Sequence, residues 1–101
     1  MIEIRRTQVF TDFLDGLRDR KARALIALRI DRLAYGNAGD AAPVGEGVNE
    51  FRLHYGPGYR VYFIRRGGAV YVLLCGGSKS GQKRDIKRAK EMARDLKGNL
   101  Q

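Results

Sequence analysis

The chain has one cysteine, one histidine, two prolines and no tryptophan. A single cysteine, Cys75, excludes an internal disulfide and makes a reducing, cytoplasmic setting the simpler expectation. One cysteine and one histidine together fall short of the N and S ligands of a structural zinc site, so no metal and no cofactor is expected. No apolar run approaches the roughly 20 residues that a bilayer-spanning helix needs, and the first ten residues, MIEIRRTQVF, lack the apolar centre of a secretory signal. No membrane partner is therefore expected. Acidic residues are also scarce: 11 against 20 lysines and arginines, a formal net charge of +9 in 101 residues. A field of that sign favours polyanionic partners. The length suits one domain spanning residues 1–101.

Apolar periodicity divides the chain into short elements. Ile2 to Arg6 alternates and reads as a strand. Thr7 or Thr11 can cap a brief helix whose Phe10, Phe13, Leu14 and Leu17 share one face. Asp19 can cap a longer helix from about Arg20 to Tyr35, with Ala22, Ile26, Ile30 and Leu33 as its buried stripe and Arg18, Arg20, Arg23, Arg29 and Arg32 crowding the remainder. The stretch from Gly36 to Gly47 has four glycines and one proline and reads as a loop. Next, Phe51 and Leu53 face one way and Glu50, Arg52 and His54 the other. The turn Tyr55-Gly56-Pro57-Gly58 leads to a strand from Tyr59 to Arg65, and Arg66-Gly67-Gly68 leads to a more continuously apolar strand from Ala69 to Cys75. Short turns make these three an antiparallel meander. From about Lys83, Ile86, Ala89, Ala93, Leu96 and Leu100 form the apolar stripe of a charged helix. The order β-α-α-β-β-β-α predicts an α+β domain, a helical hairpin packed on a mainly antiparallel twisted sheet.

The same region concentrates candidate chemistry. Arg52 and His54 on one strand and Arg60 and Tyr62 on the next can cluster if the register aligns them. Lys79 and Lys83 follow beside Gly76 and Gly77, where backbone can approach a ligand closely. Gln82 can bond a base edge or cap the last helix. Arg18, Arg20, Arg23, Lys87, Arg88 and Lys90 make a diffuse basic surface. These residues alone support a basic phosphate-binding domain.

GPGYRVYF followed by VLLCGGSKSGQKRDIKRA, with RIDRLAYGNAGD upstream, resembles the RelE/ParE superfamily of bacterial type II toxins, and within it the HigB-like addiction module killer proteins. The resemblance implies a RelE-like fold and a toxin that enters the ribosomal A site, cuts mRNA through the ribose 2′-hydroxyl and so inhibits translation. It also implies silencing by a cognate antitoxin, typically of helix-turn-helix type, with DNA contacted only through the antitoxin complex. Arg60 falls on the arginine that contacts the scissile phosphate in RelE-like nucleases, and Arg52 on a basic residue of the preceding strand. Lys79 and Lys83 fall on basic residues before the final helix, giving a catalytic set of Arg60, Arg52, His54, Lys79 and Lys83. Tyr62, Gln82, Arg84 and Lys87 are the expected RNA contacts. No pair of acid and base carboxylates is evident on this face, which leaves His54, a lysine or Glu50 as the base. One departure favours other readings: Ile86 stands nearest to the position of RelE's C-terminal tyrosine. The alternatives are a ParE-like gyrase inhibitor without nuclease activity, or an inactive homologue that persists as an antitoxin-binding partner.

Overall fold

Two side chains begin the helical layer. In a computed structural model that describes residues 1–98, Thr7 accepts a hydrogen bond at its hydroxyl oxygen from the Phe10 amide (3.0 Å) and donates to the Leu74 carbonyl (2.6 Å). It therefore caps helix α1 (Gln8–Asp15) and ties it to the sheet. Asp19 accepts from the amides of Lys21 (3.0 Å) and Ala22 (3.1 Å) and caps α2 (Arg20–Ala34). The stripe expected on α2 is the one buried: Ala22, Ile26, Ile30 and Leu33.

The five strands are β1 (Glu3–Arg6), β2 (Ala41–Gly45), β3 (Val48–Leu53), β4 (Tyr59–Arg66) and β5 (Val70–Ser78). They lie in the order β1-β5-β4-β3-β2. β1 runs parallel to β5, and all other pairs are antiparallel. A turn of 3-10 helix (Lys79–Gly81) leads into α3 (Gln82–Gly98). The protein is thus an α+β domain with a mixed sheet that is mainly antiparallel.

β2 corrects the expectation of a loop from Gly36 to Gly47, and the order becomes β-α-α-β-β-β-β-α. Its pattern is concealed because alanine and proline carry little strand signal, yet an edge strand needs only one partner and tolerates Pro43. Glu46 (φ 54°) and Gly47 (φ 78°) both sit in the left-handed region and close the β2-β3 hairpin as a primed turn.

The two sheet faces carry separate cores. On one, Phe10, Leu14, Ile26, Ile30 and Leu33 of α1 and α2 pack against Phe51, Leu53, Val61, Phe63 and Leu73. On the other, Ala89 and Ala93 of α3, with half-buried Ile86, Met92 and Leu96, cover Val48, Tyr62, Ile64, Val72, Leu74 and Cys75. Leu100, expected to extend the α3 stripe, lies outside the described residues. A bulge between the Tyr62-Cys75 and Phe63-Leu73 pairs shifts the β4-β5 register. It places Leu74 and Cys75 together in the α3-side core and re-aims the end of β5. Gly76 then backs onto Phe13 and Gly77 onto Asp85.

Phe10 is fully buried, so Phe10→Ala should lower unfolding free energy by about 3–5 kcal/mol, the usual range for deleting a core aromatic. Urea denaturation would show the midpoint falling with little change in slope. A loss below about 1 kcal/mol would mean that α1 contributes no anchored core contact.

Candidate functional site

The meander register decides which polar residues meet. Arg52 pairs with Arg60 and Glu50 with Tyr62 across β3-β4, and Arg60 pairs with Gly77 across β4-β5. These positions share the sheet face that α3 covers, so Arg52, Arg60 and Tyr62 of the expected four come together, while His54 lies beyond the last paired residue of β3, Leu53. Arg60 is 8% exposed and Glu50 1%. Gln82, in the first turn of α3, donates from Nε2 to Glu50 Oε2 at 2.8 Å. Arg60 Nη1 lies 3.9 Å from Glu50 Oε1, close enough for charge attraction and too far for a hydrogen bond.

Among the described residues, the buried side-chain polar atoms without a hydrogen-bond partner in the protein are Arg52 Nε, Arg60 Nε, Arg60 Nη1, Tyr62 OH and Asp85 Oδ2. All belong to this face and its α3 cover. Leaving a buried donor or acceptor unpaired costs about 1–3 kcal/mol. The concentration of such atoms around Arg60 makes this cluster a candidate site rather than a source of stability.

One expected RNA contact is corrected here and a second is partly committed elsewhere. Tyr62 is fully buried beneath α3 and cannot reach RNA. Burial, then the adjacent Glu50 carboxylate, raises its hydroxyl well above the ordinary tyrosine value, so it stays protonated. Half-buried Gln82 turns its amide nitrogen inward to Glu50, so that nitrogen is committed within the protein rather than to a base edge.

The rim was only partly visible in the sequence. Asp40 bridges two of the predicted residues, with Oδ1 3.0 Å from Arg52 Nη2 and Oδ2 2.5 Å from His54 Nε2. The His54 contact foremost, together with Arg52, holds the Asp40 carboxyl below the ordinary aspartate range. The His54 side chain is 76% exposed. Asp40 holds the ring through Nε2 and leaves Nδ1 without a contact to Asp40. Arg29, expected among the solvated arginines of α2, instead donates to the carbonyls of Arg52 (2.6 Å), Ala38 (3.0 Å) and Asp40 (3.4 Å) and lies over the Phe51 ring. It pins the Asp40 segment to β3. The one sequence signal for Asp40 was its standing as the lone acidic residue between Asp31 and Glu46.

Lys79 is exposed on the 3-10 turn, its amide donating to the Pro57 carbonyl at 3.4 Å and its side chain lying over Gly58. That puts it beside the turn that starts β4. Lys83, Arg84 and Lys87 are exposed on α3. No hydrogen bond or ion pair among the described residues joins Lys83 or Lys87 to the Arg60 cluster, whereas Arg84 Nε lies 3.5 Å from Asp85 Oδ1. Asp85 itself, 6% exposed, escaped the sequence reading, as did the possibility that two carboxylates share this face. Among the described residues, no group of three or more His, Cys, Asp or Glu could hold a metal ion, and no helix is long and apolar enough to cross a membrane.

Cavities among the described residues lie away from this cluster. One of about 150 Å³ sits between β4 and the later turns of α3, lined in part by Ile64, Arg66, Ala93 and Leu96. A more open one of about 360 Å³ borders β2, lined in part by Ala41, Pro43, Phe63 and Tyr71. The Arg60 face is a basic surface with buried polar groups, suited to an extended polyanion more than to an enclosed small molecule.

The class so defined is a basic α+β domain whose sheet buries an arginine beneath its last helix. No family model matches the chain. An uncharacterized protein of Haemophilus influenzae is 45% identical over 95 residues, spanning 94% of this chain and 96% of that protein. The chain belongs to the same family as that protein.

Asp40 gives the rim a defined response to acid. Its folded-state pKa is depressed, so its stabilising contribution is present above the ordinary aspartate value of 3.8 and is lost as pH falls through the lower folded value. Carbon-13 titration should place the Asp40 midpoint below 3.8 and move it upward in His54→Ala. A midpoint at or above 3.8 in the unsubstituted protein would remove the bridging role from Asp40.

Proposed function

We propose that this protein is the toxin of a type II toxin-antitoxin module, a HigB-like member of the RelE/ParE superfamily that cuts mRNA on the ribosome. The observation that carries the reading is Arg60, the GYR arginine of β4, held under α3 with unpaired donors and opposite Arg52. A planar, permanently charged guanidinium suits a phosphodiester oxygen that gains charge in the transition state. A helical hairpin on a mainly antiparallel sheet, closed on its other face by a C-terminal helix, supports a RelE-like fold.

The reaction needs no cofactor. The ribose 2′-oxygen attacks phosphorus, the bond to the 5′-oxygen breaks, and the products carry a 2′,3′-cyclic phosphate and a 5′-hydroxyl. His54, oriented by Asp40, takes the proton from the 2′-hydroxyl. Arg60 and Arg52 stabilise the pentavalent phosphate, and Lys79 at the edge of the site, or water, protonates the leaving oxygen. Glu50 is not assigned as the base, because its Oε2 accepts from Gln82 and its Oε1 faces Arg60 Nη1. Lys83, Arg84 and Lys87 present cations along α3 for RNA backbone. A helix-turn-helix antitoxin would neutralise the toxin by covering this basic face, DNA would be met only through that complex, and the workplace would be the cytoplasm, where ribosomes and mRNA are.

One observation favours a second reading. Ile86 is half-buried against the α3-side core, so this position of α3 supplies no aromatic ring to stack on a base. A ParE-like gyrase inhibitor needs no such ring and would leave mRNA intact.

Primer extension on mRNA from a reconstituted translation reaction, with and without ribosomes, tests the reading. Ribosome-dependent cuts should appear, and Arg60→Ala, still folded by circular dichroism, should slow them about 10²–10³-fold, the usual effect of removing a donor to developing negative charge. Intact mRNA with a folded, growth-arresting protein would turn the assignment to gyrase.

A further inference from the structure

Arg60 stands on the strand between two carboxylates and is hydrogen-bonded to neither. On the β3 side is Glu50, fixed by Gln82, with its Oε1 3.9 Å from Arg60 Nη1. On the β5 side is Gly77, directly opposite Arg60. A Cβ at position 77 would lie 1.9 Å from Asp85 Oδ2 and 2.9 Å from its Cγ. The Asp85 carboxylate therefore rests on the bare backbone of β5, in a space that any side chain at 77 would fill. Its Oδ2 is buried and unpaired there. Gly81 is close as well, its Cβ position 3.2 Å from the same oxygen.

Asp85 also lies in the first turn of α3, where a carboxylate suits the helix dipole. That role does not explain why it turns inward onto the strand. A solvent-facing carboxylate would serve the dipole without burying an unpaired oxygen, and would not require glycine at 77.

We propose that Asp85 and Glu50 are positioning residues for Arg60: two buried carboxylates, one from α3 and one from β3, hold the guanidinium by charge from both sides. Gly77 makes room for the first and Gln82 fixes the second. Because neither carboxylate takes a hydrogen bond from Arg60, the guanidinium is held by charge alone while Nε and Nη1 remain uncommitted. This rests on the reading of Arg60 as the phosphate-stabilising residue.

The test uses the intact chain as wild type, Asp85→Asn, Gly77→Ala and the double variant, with a thermal melt of each. Asp85→Asn keeps the shape and removes the charge, whereas Gly77→Ala keeps the charge and pushes the carboxylate off β5. Each should lower kcat for RNA cleavage about 10²-fold, as expected for a misplaced transition-state contact, with KM little changed. The double variant should fall no further than either single one, because both remove the same carboxylate charge from its place over Gly77. Losses that multiply in the double variant, or a change confined to KM, overturn the proposal.

Nitrogen-15 relaxation at Arg60 Nε is a readout that needs no RNA. It should report an ordered side chain in the wild type and a mobile one in Asp85→Asn, Gly77→Ala and Glu50→Gln. If the wild type cuts no RNA, the nuclease reading fails while the Arg60 comparison still decides the brace. Equal order in all of these proteins overturns it whatever the RNA result. Should Gly77→Ala melt below the assay temperature, Asp85→Asn and Glu50→Gln carry the same comparison.

Discussion

A guanidinium that is 8% exposed beneath a helix is a constraint that the surrounding architecture has to answer. Arg60 cannot shed its charge as a buried lysine or histidine can, so burial has to be balanced by opposite charge nearby. Glu50 supplies part of that balance from β3, and removing one member of such a buried pair typically costs about 3–5 kcal/mol. The balance imposes further conditions. Glu50, itself buried, needs a donor, and Gln82 at the start of α3 provides one. The helix therefore begins where it does partly because its first turn closes over the charge pair. The same turn brings in Asp85, which fits only because β5 carries glycine at 77.

The β5 bulge links this polar end to the apolar remainder. Before the bulge, Leu73 faces α1 and α2. After it, Leu74 and Cys75 both belong to the α3-side core. Without the extra residue, the alternation would send Gly77 to the α1 face and put Gly76 under Asp85. The polar cluster and the contact between Phe13 and Gly76 would then lose their places together. An irregularity in hydrogen bonding thus sets which glycine receives the carboxylate and which the ring. The apolar cores hold the sheet rigid, and the bulge decides which way its last residues point.

What could be read beforehand followed the range of the interaction. The α2 stripe and the Asp19 cap depend on neighbours a few residues apart, and both are as the pattern predicts. The face shared by Arg52 and Arg60 also followed from strand alternation, because the Tyr55 to Gly58 turn is short enough to set the register. Tyr62 misled because alternation identifies a face without saying what covers it, and α3 covers that one. Asp40 and Asp85 lay beyond reach for the same reason in reverse: each is distant in sequence from the strand residue it packs against, Arg52 for one and Gly77 for the other, and each looks locally like an ordinary loop or helix-start residue. Arg29 looked like one more solvated cation, because nothing in α2 itself reveals the carbonyls of Ala38, Asp40 and Arg52 that it binds.

The two halves of the candidate site differ in a way that bears on their chemistry. Around Arg60 the charged groups are buried and held by α3, so their electrostatics are shielded from salt and slow to rearrange. Around His54 they are exposed, and order comes from a chain of contacts: Arg29 fixes the backbone of Asp40, and Asp40 fixes both Arg52 and His54. Under the proposed reaction, a group that moves a proton benefits from contact with water, whereas a group that stabilises a fixed charge benefits from being kept from it. Arg52 joins the halves, since it faces Arg60 across the strands and holds Asp40 at the rim. The edge strand β2 follows directly after Asp40, and its pairing with β3 fixes how far that carboxylate can stray from His54. The least conspicuous strand in the sequence thus restrains the one titratable ring at the site.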